Sequence, residues 1–212
     1  MTDFLWTAGQ TIVMTGDSIT DCGRREDPLA LGGGYVRQTV ALTTARYPER
    51  RLTFVNTGIG GNCVDDLQGR WQVDVLDHQP DWVTIMIGIN DLHRTRDSIK
   101  DLPADVFEAG YRDILDQTKA AGARLVLLDP FYLSLEHGQA TAEGDVLTRL
   151  DSYLGVVERL AAEYQAIHVR TQDAWLRVLR EVPSSRWCGE PVHPNGDGHL
   201  VMANALLAAV KF

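Results

Sequence analysis

Five short runs of β-branched and aliphatic residues, at 10–15, 52–55, 82–87, 125–128 and 166–169, alternate along the chain with longer segments of helical spacing. Each run is too short for a typical helix, and Gly, Pro, Asp or Asn bounds most of them, so they read as strands. The intervening segments, at 35–47, 67–76, 104–121, 146–164, 171–180 and 198–210, read as helices. Such alternation favours parallel strands joined by helical crossovers that cover both faces of the sheet. The expected fold is therefore α/β, a three-layer α/β/α sandwich on a parallel sheet of about five strands. The last helix is the clearest. Leu200, Ala203, Leu207 and Val210 recur on one face after the break at Pro194-Asn195-Gly196, and that stripe is expected to pack on the sheet.

A chain of 212 residues that is 44% hydrophobic can bury a full core and fits one domain, 1–212. It contains no internal repeat, low-complexity tract or linker, and 32–34 and 136–144 read as loops within one unit. The net charge of -9 supplies no basic stripe for a phosphate backbone, which argues against nucleic acid as a partner. Residues 1–6 lack the pattern of an export leader, and no apolar stretch is long enough to cross a bilayer, so the expectation is a soluble, cytoplasmic protein without a membrane partner. Cys22, Cys63 and Cys188 are odd in number and widely spaced, which points to reduced thiols rather than a disulfide framework or a CxxC metal site. Cys22 and Cys63 lie near chemically suggestive segments, but packing is the commoner role for a lone cysteine.

In an open parallel sheet the ligand crevice lies beyond the carboxyl ends of the strands, where strand order reverses. Ser18 follows the first run, the glycine-rich stretch 56–62 the second, and Gly88-Ile89-Asn90-Asp91 the third. These exits offer a hydroxyl, a close-approaching backbone and a carboxamide, the groups that acyl transfer needs around one carbonyl. Near the other end, Pro191-Val192-His193-Pro194 adds an imidazole. Each has a plainer reading: Ser18 as a helix cap, Gly61 as a turn with positive φ, Asn90 as a turn residue bonded to its own loop.

In this order, Gly16-Asp17-Ser18-Ile19-Thr20, Asn56-Thr57-Gly58-Ile59-Gly60-Gly61, Gly88-Ile89-Asn90-Asp91 and His193-Pro194 resemble the four blocks of the SGNH, or GDSL, hydrolases over nearly the whole chain. Within that superfamily, 16–23, 32–36, Arg70-Trp71, 80–91 and Asp129-Pro130-Phe131-Tyr132 are similar to the small acetylesterases that deacetylate xylan and xylo-oligosaccharides. The resemblance implies a flavodoxin-like SGNH hydrolase fold, no metal or organic cofactor, Ser18 as nucleophile and His193 as its general base. It also implies an oxyanion hole from the N–H groups of Ser18 and Gly61 and the amide of Asn90. A serine hydroxyl needs such a base near neutral pH, and donors fixed at the developing oxyanion stabilise the transition state. The remaining histidines, His78, His93, His137, His168 and His199, are expected at the surface or satisfied in the core.

One position departs from the family pattern. Where the family writes Asp-x-x-His-Pro, this chain has Glu190, one methylene longer, whose carboxylate must fold back to reach the imidazole Nδ1–H. A triad acid orients the ring and stabilises the imidazolium, so Glu190 is the expected acid. A backbone carbonyl, a water or Asp197 are alternatives. Asp17, Arg70, Arg94 and Trp187 are candidate substrate contacts, whereas Trp82, inside a strand, reads as core, and Trp71 could either stack on sugar or pack. The expected reaction is hydrolysis of small acetyl esters, with a small acetylated carbohydrate as partner and a homo-oligomer left open. The rivals are a lysophospholipase or thioesterase of the same superfamily, which needs an apolar acyl groove, and a weakly active or inactive carbohydrate-binding relative. A metal-dependent deacetylase would need a clustered Asp/His ligand set, and the sequence offers none.

Overall fold

A computed structural model describes residues 4–212; residues 1–3, the first half of the segment read for a leader, lie outside the described residues. The elements run β1 (Thr11–Gly16), α1 (Ser18–Asp21), α2 (Tyr35–Arg46), β2 (Thr53–Asn56), α3 (Val64–Asp74), β3 (Trp82–Met86), α4 (Ile89–Arg96), α5 (Ala104–Ala120), β4 (Arg124–Leu128), α6 (Ala142–Glu163), β5 (Ile167–Val169), α7 (Thr171–Leu179) and α8 (Gly196–Ala209). All five strands lie parallel in one sheet of order β2-β1-β3-β4-β5. Every residue of β3 is buried, as a central parallel strand covered on both faces requires. Helices α2 and α8 pack together with α7, while α3, α5 and α6 pack in series, and the layers enclose a continuous apolar core. None of the described helices is long and apolar enough to cross a membrane.

From β1 the chain moves outward to β2, then returns across β1 to build β3, β4 and β5 on the other side. The switch point therefore opens above the carboxyl ends of β1 and β3. These ends approach unusually closely: a Cβ on Gly16 would sit 2.2 Å from the Met86 carbonyl oxygen, so only glycine fits there.

The strands and six long helices fall within a few residues of the sequence reading, with three differences. Ser18 and Asn90, expected at strand exits, lie within short helices, α1 and α4, that period analysis did not single out. The end of the loop expected at 136–144 is already helical, because Thr141 Oγ1 accepts the Gly144 N–H at 3.0 Å and caps α6. Leu200 does not join the buried stripe of α8 and is 43% exposed. His199 takes the inward position in that turn, its Nδ1 accepting the Tyr35 N–H at 3.1 Å, and this rotation carries Leu200 outward.

Candidate active site

Ser18 occupies the first position of α1, directly after β1. Asp17 caps that helix: its Oδ1 accepts the Ile19 N–H at 3.0 Å. The Ser18 N–H, at a helix start where no intrahelical acceptor exists, has no acceptor among the described residues. The Asp17 side chain is buried, and that burial pushes its carboxyl up to about 6, against the opposing pull of the Ile19 N–H and His193. Asp17 is thus a buried cap beneath the serine, which corrects its expected role as a substrate contact.

His193 arrives on the loop between α7 and α8. A bridge between Cys188 and Pro194, a bond from the Asn195 N–H to Trp187 O at 2.7 Å, and one from the Leu133 N–H to Pro191 O at 2.8 Å brace that loop. Ser18 Oγ and His193 Nε2 are 2.8 Å apart, although 175 residues separate them. On the far side of the ring, Nδ1 lies 2.5 Å from Glu190 Oε1. The carboxylate fixes the tautomer: Nδ1 carries the proton and donates it to Glu190, leaving the Nε2 lone pair for the serine hydroxyl.

Glu190 manages its extra methylene by folding onto its own loop. Oε1 also accepts the His193 N–H at 2.8 Å, and Oε2 accepts the Val192 N–H at 2.9 Å. Partial burial pushes this carboxyl up, but the two backbone donors and the imidazole outweigh it and hold it below the ordinary glutamate range. Asp197, the alternative acid, is instead paired with Arg186 at 2.5 Å. The relay is open to solvent, with the His193 and Glu190 side chains 55% and 52% exposed.

The loop after β2 faces the serine: a Cβ on Gly60 would lie 3.8 Å from Ser18 Cβ. Its N–H groups can be followed in turn. Thr57 donates to Met14 O, Gly58 to Asn56 Oδ1, Ile59 to Gly16 O, Gly60 to Asp21 Oδ2, Asn62 to Ile59 O, Cys63 to Asp66 Oδ2 and Val64 to Asp91 Oδ1. Only the Gly61 N–H, at φ +78°, meets no acceptor among the described residues. An ordered N–H left over in an otherwise satisfied loop is available to a ligand. Asn90 joins it from α4, spending one amide hydrogen on Asn62 O at 3.1 Å and retaining the other. Gly58 presses this loop against α1, since a Cβ there would come within 2.3 Å of Asp21 N.

The remaining candidates divide. Arg70 turns inward: Nε donates to Asn62 Oδ1, Nη1 to Thr57 O and Asp74, and Nη2 to Gly16 O, so all three nitrogens are engaged by protein acceptors. It is a brace of the loop rather than the expected substrate contact. Arg94 is half-buried, its Nη2 donating to Gly61 O at 2.6 Å. Trp187 is half-buried edge-on to Trp175, ring centres 6.4 Å apart, with Arg186 over its face. Trp71 and Trp82 are core residues whose indole N–H groups reach Thr118 and Gln10.

Among the other histidines, His78 and His137 are exposed, His168 pairs with Asp129, and His199 is satisfied in the core, where burial pulls it down to about 4. His93 departs from expectation: its Nε2 is buried without a partner among the described residues, with its ring 6.0 Å from that of Tyr132. Burial raises all three thiols, Cys63 to about 12, which suits packing and disfavours thiolate chemistry. Asp21 and Arg24, the latter donating to Gly58 O at 2.6 Å, tie α1 to the loop. Asp21 lies inside the stretch 16–23, one helical turn beyond Ser18, but nothing in that stretch gave it a role, and Arg24 falls just outside it.

Known proteins are similar to this chain in sequence and in fold. The family model described as GDSL-like Lipase/Acylhydrolase family matches residues 14–201. An acetylxylan esterase from Geobacillus stearothermophilus is 37% identical over 214 aligned residues, covering 97% of this chain and 95% of the relative. The crystal structure of Axe2, an acetylxylan esterase from the same organism, superposes with a TM-score of 0.88 at 37% identity, covering 98% of this chain and 97% of that one. LAE5, an alpha/beta hydrolase enzyme from the metagenome of Lake Arreo, Spain, superposes with a TM-score of 0.90 at 35% identity and the same coverage.

Proposed function

The chain belongs to the GDSL-like Lipase/Acylhydrolase family and is a carboxylic ester hydrolase, and on that footing we propose that it uses Ser18, His193 and Glu190 to remove acetyl groups from xylo-oligosaccharides. The observation that carries the reading is the continuous relay from Ser18 Oγ through the ring of His193 to Glu190, at 2.8 and 2.5 Å. The acetylxylan esterase relative supports the choice of substrate. So does the exposure of the relay, which leaves room for a bulky sugar alcohol beside a small acyl group.

In the first half-reaction Ser18 Oγ attacks the acetyl carbonyl carbon while His193 Nε2 takes its proton. The carbonyl oxygen becomes an oxyanion, met by the N–H groups of Ser18 and Gly61 and the free amide hydrogen of Asn90. Collapse breaks the ester bond, and the imidazolium gives its proton to the departing sugar oxygen, leaving acetyl-Ser18. In the second half-reaction His193 takes a proton from water as the water attacks. Collapse breaks the bond between Ser18 Oγ and the acyl carbon, the imidazolium returns its proton to Ser18, and acetic acid leaves, losing its own proton to solvent as acetate. Glu190 stays ionised throughout, facing the imidazolium. These steps use only the chain's own groups. We place them in the cytoplasm, where the free Cys22, Cys63 and Cys188 stay reduced.

The test is acetate release from acetylated xylo-oligosaccharides by wild type and Ser18→Ala. Loss of release, together with loss of labelling by an organophosphonate, is expected for Ser18→Ala, and labelling that persists on another serine would refute the assignment. A marked preference for octanoyl over acetyl esters would favour a lipase instead.

A further inference from the structure

Two side chains of α4, Asn90 and Arg94, stand one helical turn apart on the same face and grip successive carbonyls of the loop after β2. Asn90 Nδ2 donates to Asn62 O at 3.1 Å, and Arg94 Nη2 donates to Gly61 O at 2.6 Å. The guanidinium also lies flush against Gly61, 3.3 Å from where a Cβ would stand. The neighbouring amides are fixed from other directions, Gly60 N–H on Asp21 and Asn62 N–H on Ile59 O. The 60–61 peptide is thus bracketed on both sides while its own N–H meets no acceptor among the described residues. Gly61 holds φ +78°, a conformation that glycine enters and leaves at little steric cost. Without an anchor on its carbonyl, rotation about this glycine would swing the N–H off target.

We infer that Arg94 is a positioning residue for acyl transfer, whose bond to the Gly61 carbonyl holds the Gly61 N–H aimed at the developing oxyanion. The inference rests on the proposed role of Ser18 and its oxyanion donors. It gives Arg94 a task different from substrate contact: the guanidinium acts on the reaction only through the loop backbone. Misplacement of a reacting or stabilising group by about 1 Å can cost about 10²-fold in rate, which sets the expected effect of losing the anchor.

The experiment compares Arg94→Ala and Arg94→Lys with wild type on para-nitrophenyl acetate and on an acetylated xylo-oligosaccharide, and adds inhibition by an aryl trifluoromethyl ketone, which forms a hemiketal oxyanion on the serine. Arg94→Ala should lower kcat on both substrates by about 10²-fold with KM within about twofold, and weaken the ketone by a similar factor. Guanidinium ion added to Arg94→Ala should restore part of kcat, and Arg94→Lys, which keeps one donor within reach of the carbonyl, should fall between. Three results overturn the inference: wild-type kcat in Arg94→Ala; a rise in KM confined to the sugar substrate with kcat kept, which marks direct substrate contact; or losses in both variants that track a fall in thermal midpoint and resist guanidinium. Failure of the underlying reading is separate, because Ser18→Ala would then still release acetate.

Discussion

Replacing Glu190 by Gln removes the charge facing His193 and one of the two oxygens that accept from the Val192 and His193 N–H groups. Two unit charges about 4 Å apart interact by ~1 kcal/mol in bulk water and by ~4 kcal/mol at the dielectric typical of a protein surface. Because His193 and Glu190 are each about half exposed, the stabilisation of the imidazolium belongs between these limits, at roughly 2 kcal/mol. That converts to a fall in kcat of about 30-fold, far below the ~10⁴ seen when a fully buried triad aspartate becomes an amide. The amide also keeps only one carbonyl oxygen for Val192 or His193 where the carboxylate accepts from both N–H groups, a loss that salt does not change, whereas the charge contribution should be somewhat larger at low salt, where screening is weak. Glu190→Asp should retain activity, since a shorter carboxylate readily accepts from N–H groups two and three residues ahead. The assay is steady-state hydrolysis of para-nitrophenyl acetate by wild type and both variants, at two ionic strengths. A Glu190→Gln enzyme as fast as wild type would remove Glu190 from the relay, and a loss of about 10⁴-fold, the buried-triad figure, would show that the half-exposed electrostatics have been undervalued.

Asn90→Ala should lower kcat with little change in KM, by about 3 kcal/mol of transition-state stabilisation, checked by steady-state kinetics on the same ester. Gly58→Ala drives a Cβ to 2.3 Å from the backbone of α1, so it should destabilise the fold by at least about 2 kcal/mol, visible as a lower denaturation midpoint in urea. Asp17→Asn addresses the buried cap. With its carboxyl raised from 3.8 to about 6, the folded state binds the extra proton between those values, so this group makes stability fall as pH rises from about 4 to 6. His199, lowered from 6.5 to about 4, acts with the opposite sign, because between pH 4 and 6.5 the unfolded state binds the proton and stability rises with pH. Asp17→Asn keeps an oxygen for Ile19 and should remove the falling contribution, gaining about 3 kcal/mol above pH 6, and thermal melts across pH 4 to 8 should then rise more steeply than in wild type.

The serine, the imidazole and the glycine-rich stretch were readable from residue order, because the chemistry of acyl transfer requires particular residue types and those types cluster at strand exits. Arg70 and Asp17 were not readable in the same way. Both lie within stretches that carry the resemblance, yet they turn inward to satisfy backbone groups, Asp17 the Ile19 N–H and Arg70 the carbonyls of Thr57 and Gly16, and a side chain's direction depends on the partners that the folded chain offers it. Gly61 illustrates the same limit: that it is a glycine is evident, but that its N–H is the one in its loop that meets no acceptor among the described residues depends on Met14, Gly16, Asp21 and Asp91 taking up its neighbours.

The amino-acid order by itself determined the layered α/β architecture, since hydrophobic periods of two and 3.6 residues leave few ways to bury both kinds of element, and it named the groups able to do chemistry. Tertiary packing decided how those groups meet: the 2.8 Å contact across 175 residues, the fold-back of Glu190 onto Val192 and His193, and the grip of α4 on the loop after β2. Period and composition are local properties of the chain, whereas hydrogen-bond satisfaction is settled only when every segment has taken its place.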